Sequence, residues 1–374
     1  MLARLENSDI QGPVITPEIP TQNASQYKLL FTTEFYSDLL QQVRHAHEKI
    51  WIQVMAFESG HYSDLLVHEM SNAKLARASL DLRFVHDSYS DYVADNTFNH
   101  LPSFSDSQRQ FRDHLVRNRA GLLRALAEAG KVVCTNRPHS ILKNTPVPGF
   151  IGRDHKKIVI VDDFAYIGGL NLTPLDMMRV DLMLGTNNPA IVNVLAQVFI
   201  SSFYEHEQSD RVISCDSYNS VLIDSGKRNS SLIMDFVRER ILSGEDKITL
   251  LTPYLPVGQL RHILNHEADK GRDIEVITSS ESNLGFAPRF SRLVHNFGQQ
   301  KPKFRITRYP GVVHAKALKI GNHTAIIGSH NFDELFVRFG TEEIALLTSQ
   351  PEILQGLETA CHKLRNNSIH IYGN

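Results

Sequence analysis

The sequence predicts an α/β protein built as two similar halves, each a mixed sheet flanked by helices, the two packed around one shared active site. Three observations carry that prediction. Strand–helix–strand order with continuous apolar runs occurs twice along the chain, the pattern of sheets covered on both faces. Each half ends in a closely similar segment, GRDHKKIVIVDDFAYIGGLNLT from Gly152 and GVVHAKALKIGNHTAIIGSHNFD from Gly311. The length, 374 residues, suits roughly two domains, each with its own core.

Taken in order, Lys49–Ala56 (KIWIQVMA) reads as a buried strand, Tyr62–Ala76 as a helix and Asp81–His86 (DLRFVH) as a second strand. The order recurs as Lys247–Pro253 (KITLLTP), Gly258–Lys270 and Asp273–Thr278 (DIEVIT). The division that follows is an N-terminal extension 1–26, a first half 27–206, a Ser- and Asp-rich linker 207–229 and a second half 230–374. The interval from Lys49 to His155 exceeds that from Lys247 to His314, and the extra length is placed as an insertion at about 88–140. It holds a polar run dotted with Tyr92, Phe98, Phe104 and Phe111, then a predicted helix, Leu115–Glu128. Two readings of it stand: a surface excursion with a small apolar anchor, or a lid or acyl-chain wall beside the active site.

Composition narrows the class. With 39 Lys+Arg against 41 Asp+Glu, a net charge of -2 and 42% hydrophobic residues, the chain is neither a disordered tail nor a disulfide scaffold, and its balance argues against coating nucleic acid as a main task. Cys134, Cys215 and Cys361 are odd in number and far apart; they read as buried thiols in a reducing cytoplasm, without a disulfide framework or a zinc site. The stretch MLARLENSDIQGPVITPEIP lacks the apolar region of a secretory signal, and no run approaches the roughly 18 apolar residues of a membrane span. A cytoplasmic protein is expected, one that meets any membrane from its side.

The chemistry lies in the repeated segments. His155 and Lys157 are two apart on a strand, so both point to one face. A turn at Asp162-Asp163, a returning strand Phe164–Ile167 and Gly168-Gly169-Leu170-Asn171 follow. The second copy has His314, Lys316, a Gly321-Asn322 turn, the strand His323–Ile327 and Gly328-Ser329-His330-Asn331. Each copy thus offers an imidazole, an ammonium and a carboxamide from neighbouring strand ends, and the small Gly169 and Ser329 leave room for a ligand near the backbone. One H-x-K among 18 His means nothing; two, each followed by G-[GS]-x-N inside a wider duplication, are specific.

These residues resemble the phospholipase D superfamily, whose signature is H-x-K-x4-D followed by G-[GS]-x-N, twice per active site. The resemblance runs from about Leu29 to Leu347, and TPYLP at Thr252–Pro256 with GSHNFDE at Gly328–Glu334 is most like the bacterial cardiolipin synthase branch. It implies two phospholipase D-like α/β/α halves and a phosphodiester chemistry the residue types suit. His155 is expected to attack phosphorus and form a phospho-histidine; His314 protonates the leaving oxygen and later deprotonates the acceptor. Lys157, Lys316, Asn171 and Asn331 would hold the non-bridging oxygens, with no metal and no cofactor. In this superfamily an acid some way after each motif His orients the imidazole, and Asp181 (RVDLMLGT) and Glu343 (TEEIALLT) stand at the matching places.

The motif acid Asp162 joins the orienting group, but the spacing from it to the Gly pair is one residue short of the usual pattern, and Gly321 replaces it in the second copy. Gly321 can keep the turn and cannot make an ion pair, so two roles stay open for Asp162: organising the structure or tuning the lysine. Arg153 and Lys156, beside His155, are candidates for drawing in an anionic headgroup; Tyr254, Gly169, Ser329 and His330 are weaker substrate contacts. His262 and His266 have metal-compatible helical spacing but no third ligand, His45 and His47 read as surface residues, and Trp51 reads as core.

The expected function is a phosphatidyltransferase resembling cardiolipin synthase, taking phosphatidylglycerol to cardiolipin plus glycerol, or hydrolysing it to phosphatidic acid when water intercepts. Its partners are then a glycerophospholipid and, peripherally, a membrane. The alternative is a metal-independent nuclease on DNA or RNA, opposed by the near-neutral charge and the lack of a basic, aromatic-interleaved stretch. A catalytically dead scaffold is opposed by retention of both His, both Lys and both Asn.

Overall fold

Runs such as IVIV and ITLL have no polar face, and both become central strands buried on each side. The computed structural model describes residues 26–88, 106–135, 152–244, 246–279 and 301–371. The first half comprises β1 (Tyr27–Phe31), α1 (Thr32–His45), β2 (Lys49–Val54), α2 (His61–Ala76), β3 (Asp81–Asp87), α3 (Asp106–Ala129), β4 (Lys131–Thr135), β5 (Ile158–Val161), β6 (Phe164–Gly168), β7 (Arg179–Val180), β8 (Leu182–Thr186) and α4 (Pro189–Phe203). The second comprises β9 (Arg211–Ser214), β10 (Asn219–Ser225), α5 (Leu232–Leu242), β11 (Ile248–Leu251), α6 (Gly258–Asp269), β12 (Ile274–Ser279), β13 (Arg305–Tyr309), β14 (Val312–Val313), β15 (Ala317–Ile320), β16 (Thr324–Gly328), α7 (Glu334–Phe339), β17 (Glu342–Thr348), α8 (Pro351–Asn366) and β18 (Ile369–Ile371).

The duplication is explicit in strand order. One sheet runs β1-β8-β6-β5-β2-β3-β4; the other runs β10-β17-β16-β15-β11-β12-β13 with β9 and β18 added at its edges. In each, three strands are parallel (β2-β3-β4 and β11-β12-β13) and the hairpin strands beside them antiparallel, so the sheets are mixed as expected.

Helix starts follow local chemistry. Asn188 caps α4 by accepting the Ala190 and Ile191 amides, with Pro189 at the first helical position; Ser231 caps α5 through the Met234 amide. Helix α4 contacts β5 and β6 of one sheet and β10 of the other, while α8 contacts β1 and also β12, β13 and β16. The two helices therefore form an inner layer shared by both sheets, filled by Leu195, Val198, Phe199, Leu357 and Cys361, all at most 1% exposed. Each such aliphatic or aromatic side chain contributes about 1.5–3 kcal/mol when buried. Trp51 lies partly buried against this layer, stacked on Phe199 at 5.3 Å.

Two sequence expectations need correction. The stretch 207–229 is not a bare linker: β9 and β10 lie in it and pair into the second sheet, β10 against β17. Its Ser and Asp residues misled because they crowd the turns and the exposed edge strand, while Val221, Leu222 and Ile223 are fully buried. Nor is 88–140 all insertion, because β4 pairs with β3 as β13 pairs with β12. Helix α3 covers the helix expected at Leu115–Glu128. Residues 89–105 and 136–140, with Tyr92, Phe98 and Phe104, lie outside the described residues, as does the extension up to residue 25. Of the cysteines only Cys361 is buried; Cys134 is exposed and Cys215 half-buried. Among the described residues no helix is long and apolar enough to cross a membrane.

Candidate active site

The halves are stitched together where the motifs lie. β14 pairs in parallel with β7, Val313 beside Val180, and an isolated bridge joins Asp154 to Glu342. Backbone bonds fix both contacts: the His314 amide donates to the Val180 carbonyl at 2.7 Å and the His155 amide to the Glu342 carbonyl at 2.9 Å. Each motif histidine is thereby set beside the residue that follows, Asp181 or Glu343, of the opposite half.

The side chains complete a crossed arrangement. His155 Nδ1 lies 2.9 Å from both oxygens of Glu343, and His314 Nδ1 lies 2.6 Å from Asp181 Oδ2. Both acids are at most 1% exposed. With each carboxylate accepting from Nδ1–H, the lone pair sits on Nε2, the ring atom away from the carboxylate. The sequence pointed to Asp181 and Glu343; the structure assigns each acid to the histidine of the other half.

The lysines are as unusual. Lys157 is fully buried, and among the described residues its ammonium has one hydrogen-bond acceptor, the His155 carbonyl at 2.7 Å. Lys316 bonds the His314 carbonyl, lies 2.8 Å from His314 Nδ1 and 3.7 Å from Asp181 Oδ2. Its stem passes close to Gly169, which brings the two motifs to one place. Burial, moderated by Glu343, lowers Lys157 to about 7; burial, moderated by Asp181, lowers Lys316 to about 8.

The dyads differ. Burial alone would raise Asp181, but Lys316, His314 and the Leu182 amide outweigh it and hold the carboxyl at about 2. Burial instead keeps Glu343 above the usual carboxylate range. Burial and Lys316 push His314 down to about 3, and burial with both lysines pushes His155 well below the usual imidazole value. The site thus holds two neutral imidazoles beside two destabilised ammoniums, an arrangement an anion would relieve. Asn171 Oδ1 accepts the Ala56 amide at 3.2 Å, leaving its amino group to face outward from that bond; Asn331 Oδ1 is buried with no partner among the described residues.

Other candidates move to different roles. Asp162 sits at the far end of β5 from His155, in the hairpin turn, with φ 51, and accepts the His47, Glu48 and Lys49 amides at 2.8–3.0 Å. It organises the turn and touches neither histidine; Gly321, φ 53, occupies the same place in the second half. Lys156 is fully buried between Asp154 and Glu342, and Arg153 is engaged by Asp87 and Ser88 at 3.0 and 2.9 Å. Lys156 thus braces the junction of the halves, while the Arg153 side chain is held within the first half. Ser329 donates to Glu343 and accepts the Ile344 amide at 3.0 Å, and a Cβ on Gly169 would lie 2.4 Å from Asp181 Oδ1. The small residues before each Asn leave room for the two buried acids.

His330 accepts the Phe332 amide on Nδ1 and faces Ser231 Oγ at 3.4 Å, a strand-end brace. Tyr254 is half-buried just beyond β11, its carbonyl held by Thr252 Oγ1 at 3.1 Å. His262, His266, His45 and His47 are exposed.

Comparison with known proteins bears on the fold and the family. Residues 237–365 match the family model described as cardiolipin synthase, PLD-like domain. Cardiolipin synthase B of Salmonella typhi is 21% identical over 213 residues, covering 51% of this chain and 50% of that protein. An uncharacterized protein of Streptococcus mutans is 22% identical over 223 residues, covering 50% of this chain and 46% of that one. The chain spans about half the length of these curated relatives. Among solved structures, phosphatidylserine synthase of Haemophilus influenzae superposes with a TM-score of 0.71 at 12% identity, covering 94% of this chain and 88% of that one. Polyphosphate kinase of Porphyromonas gingivalis gives 0.62 at 12% identity, covering 100% of this chain and 54% of that one. At such identities the superpositions speak for the fold alone.

Proposed function

We propose that this phospholipase D-like chain, of the cardiolipin synthase branch, is a phosphatidyltransferase acting through a phospho-histidine. The observation that carries the reading is the crossed pair of dyads, two imidazoles each held at Nδ1 by a buried acid of the other half, beside two buried ammoniums. His155 Nε2 attacks the phosphorus of phosphatidylglycerol. As the anionic diester binds, His314 takes up a solvent proton on Nε2; the P–O bond to glycerol then breaks, and the leaving alkoxide takes that proton. The hydroxyl of a second phosphatidylglycerol then returns a proton to His314 and attacks the phospho-histidine, giving cardiolipin and freeing His155; water in place of that hydroxyl gives phosphatidic acid.

The unequal dyads support this order. Asp181, held ionised by Lys316 and His314 against the effect of burial, backs the histidine that must become an imidazolium. His155, next to both lysines, stays neutral as a nucleophile must. Lys157, Lys316 and the Asn171 and Asn331 amides hold the equatorial oxygens.

Contact with a membrane fits the same site. The turn between Asn171 and Asp181 exposes Leu175 at 51% and Met178 at 79%, apolar surface beside the chemistry. Leu175→Glu with Met178→Glu is expected to lower turnover on vesicles and leave a soluble short-chain diester unaffected; equal loss on both refutes the docking role.

The function is tested by incubating purified protein with phosphatidylglycerol vesicles and, separately, with single-stranded DNA, both without divalent metal. Cardiolipin or phosphatidic acid is expected. DNA cleavage alone overturns the reading in favour of a nuclease, and activity lost in EDTA and restored by a divalent ion overturns the metal-free chemistry.

A further inference from the structure

The two orienting acids have different neighbours across the sheet. β10 pairs with β17 so that Asp224 stands directly opposite Glu343. Cross-strand partners share a face with Cβ atoms about 4.5–5.5 Å apart, and both residues are at most 2% exposed. In the first half the β1–β8 ladder ends at Phe31 opposite Leu182, and Thr32, the first residue of α1, lies beside Asp181, its Oγ1 accepting the Asp181 amide at 3.1 Å. A hydroxyl therefore faces one acid and a second carboxyl faces the other.

We propose that Asp224 is a positioning residue: with Glu343 it forms a facing carboxyl pair that retains one proton, so that His155 is backed by a protonatable pair while His314 is backed by a plain carboxylate. The inference rests on the reading of His155 as the reactive base.

The surroundings of Asp224 favour its protonated form. Oδ1 accepts the Gly226 amide at 3.1 Å, whereas Oδ2 is buried with no partner among the described residues. An ionised oxygen without a donor in such a place is costly, and two facing carboxylates cannot both ionise cheaply. The charged and titratable groups around it are Glu343 from β17, Asp210 before β9 and, beyond Ser231, His330 with Arg238 near that ring. On the Glu343 side stand His155 at 2.9 Å, His330, Lys157 and Lys316, so that the cations favour ionisation of Glu343 and the remaining proton resides on Asp224. Burial, reinforced by Glu343 and Asp210 and opposed by Ser231 and the Gly226 amide, raises Asp224 to about 7. Release of the pair's proton to solvent adds one negative charge behind His155 and none behind His314.

The test is a ¹⁵N-imidazole NMR titration of the full chain, with His155→Gln and His314→Gln used to assign the rings. His155 is expected to show a shift step with a midpoint near 7 that His314 lacks, and Asp224→Asn and Asp224→Thr, the latter copying Thr32, are expected to abolish it. A wild-type His155 without the step, or a step that persists in folded variants, overturns the proposal. Lys157, at about 7 beside the same ring, is separated by Lys157→Met: the His155 step is expected to survive there, and its loss in folded Lys157→Met overturns the proposal. The readout needs no lipid turnover, so a protein inactive on phosphatidylglycerol would count against the proposed activity and leave this titration standing.

Discussion

Asp181→Asn isolates what the crossed arrangement does. The side chain keeps its shape, but His314 Nδ1 loses a carboxylate at 2.6 Å, and Lys316 loses its closest counter-charge at 3.7 Å, in surroundings where Asp181 is at most 1% exposed. An imidazolium at His314 then lacks its anionic partner just when the leaving oxygen needs a proton. General acid–base catalysis is typically worth 10²–10⁴-fold, which is about 3–5 kcal/mol of barrier. Phosphatidyl transfer from phosphatidylglycerol is expected to fall by about that factor. A soluble diester with a nitrophenol leaving group needs little protonation, so its first step, read as a burst of nitrophenol, is expected to fall far less. Glu343→Gln, which disturbs the nucleophile, is expected to slow both substrates. The reasoning is refuted if Asp181→Asn slows both equally, or if its profile matches His155→Ala and not His314→Ala.

Three further outcomes follow from the same geometry. Gly169→Ala places a Cβ 2.4 Å from Asp181 Oδ1 and 3.0 Å from Lys316 Cδ; a loss of at least about tenfold in kcat is expected with an unchanged melting curve, and full activity contradicts the packing argument. Asp162→Ala removes an acceptor of three amides at a residue with φ 51, so denaturant melts are expected to show a cost of about 2 kcal/mol with kcat nearly intact, and a selective loss of kcat would restore the lysine-tuning role. Lys157 and Lys316 lie at about 7 and about 8. A lysine is charged below its pKa, so rising pH removes the charges that hold an anionic diester, and kcat/KM on a soluble diester is expected to fall across that interval; a flat or rising profile contradicts it.

Much of this protein is readable in its sequence because chemistry constrains residue types. Strands buried on both faces must be apolar, which made Ile158–Val161 and Ile248–Leu251 visible, and a repeated H-x-K with G-[GS]-x-N named the groups that surround the site. What stayed hidden depends on distant partners. The interval from His155 to Asp181 is the same whichever half the acid serves; only the pairing of Val313 with Val180 and of Asp154 with Glu342 decides the crossing. Lys156 beside a histidine reads as a surface cation until Asp154 and Glu342 close around it. Gly169 and Ser329 read as space for a ligand because spacing does not reveal that the acids fill it. β10 was masked by its polar flanks, and β4 by the long segment before it. Asp224 carries no motif at all; only register brings it opposite Glu343.

The central claim is a covalent phosphatidyl group on one histidine of a site shared by both halves. It is tested most directly by mixing His314→Asn protein with phosphatidylglycerol radiolabelled in its phosphate, quenching in alkali and mapping the labelled peptide. An acid-labile, alkali-stable label is expected on the peptide carrying His155, and none in His155→Asn. Label on His314 in the wild-type protein, or turnover with no phospho-histidine at either position, would contradict it.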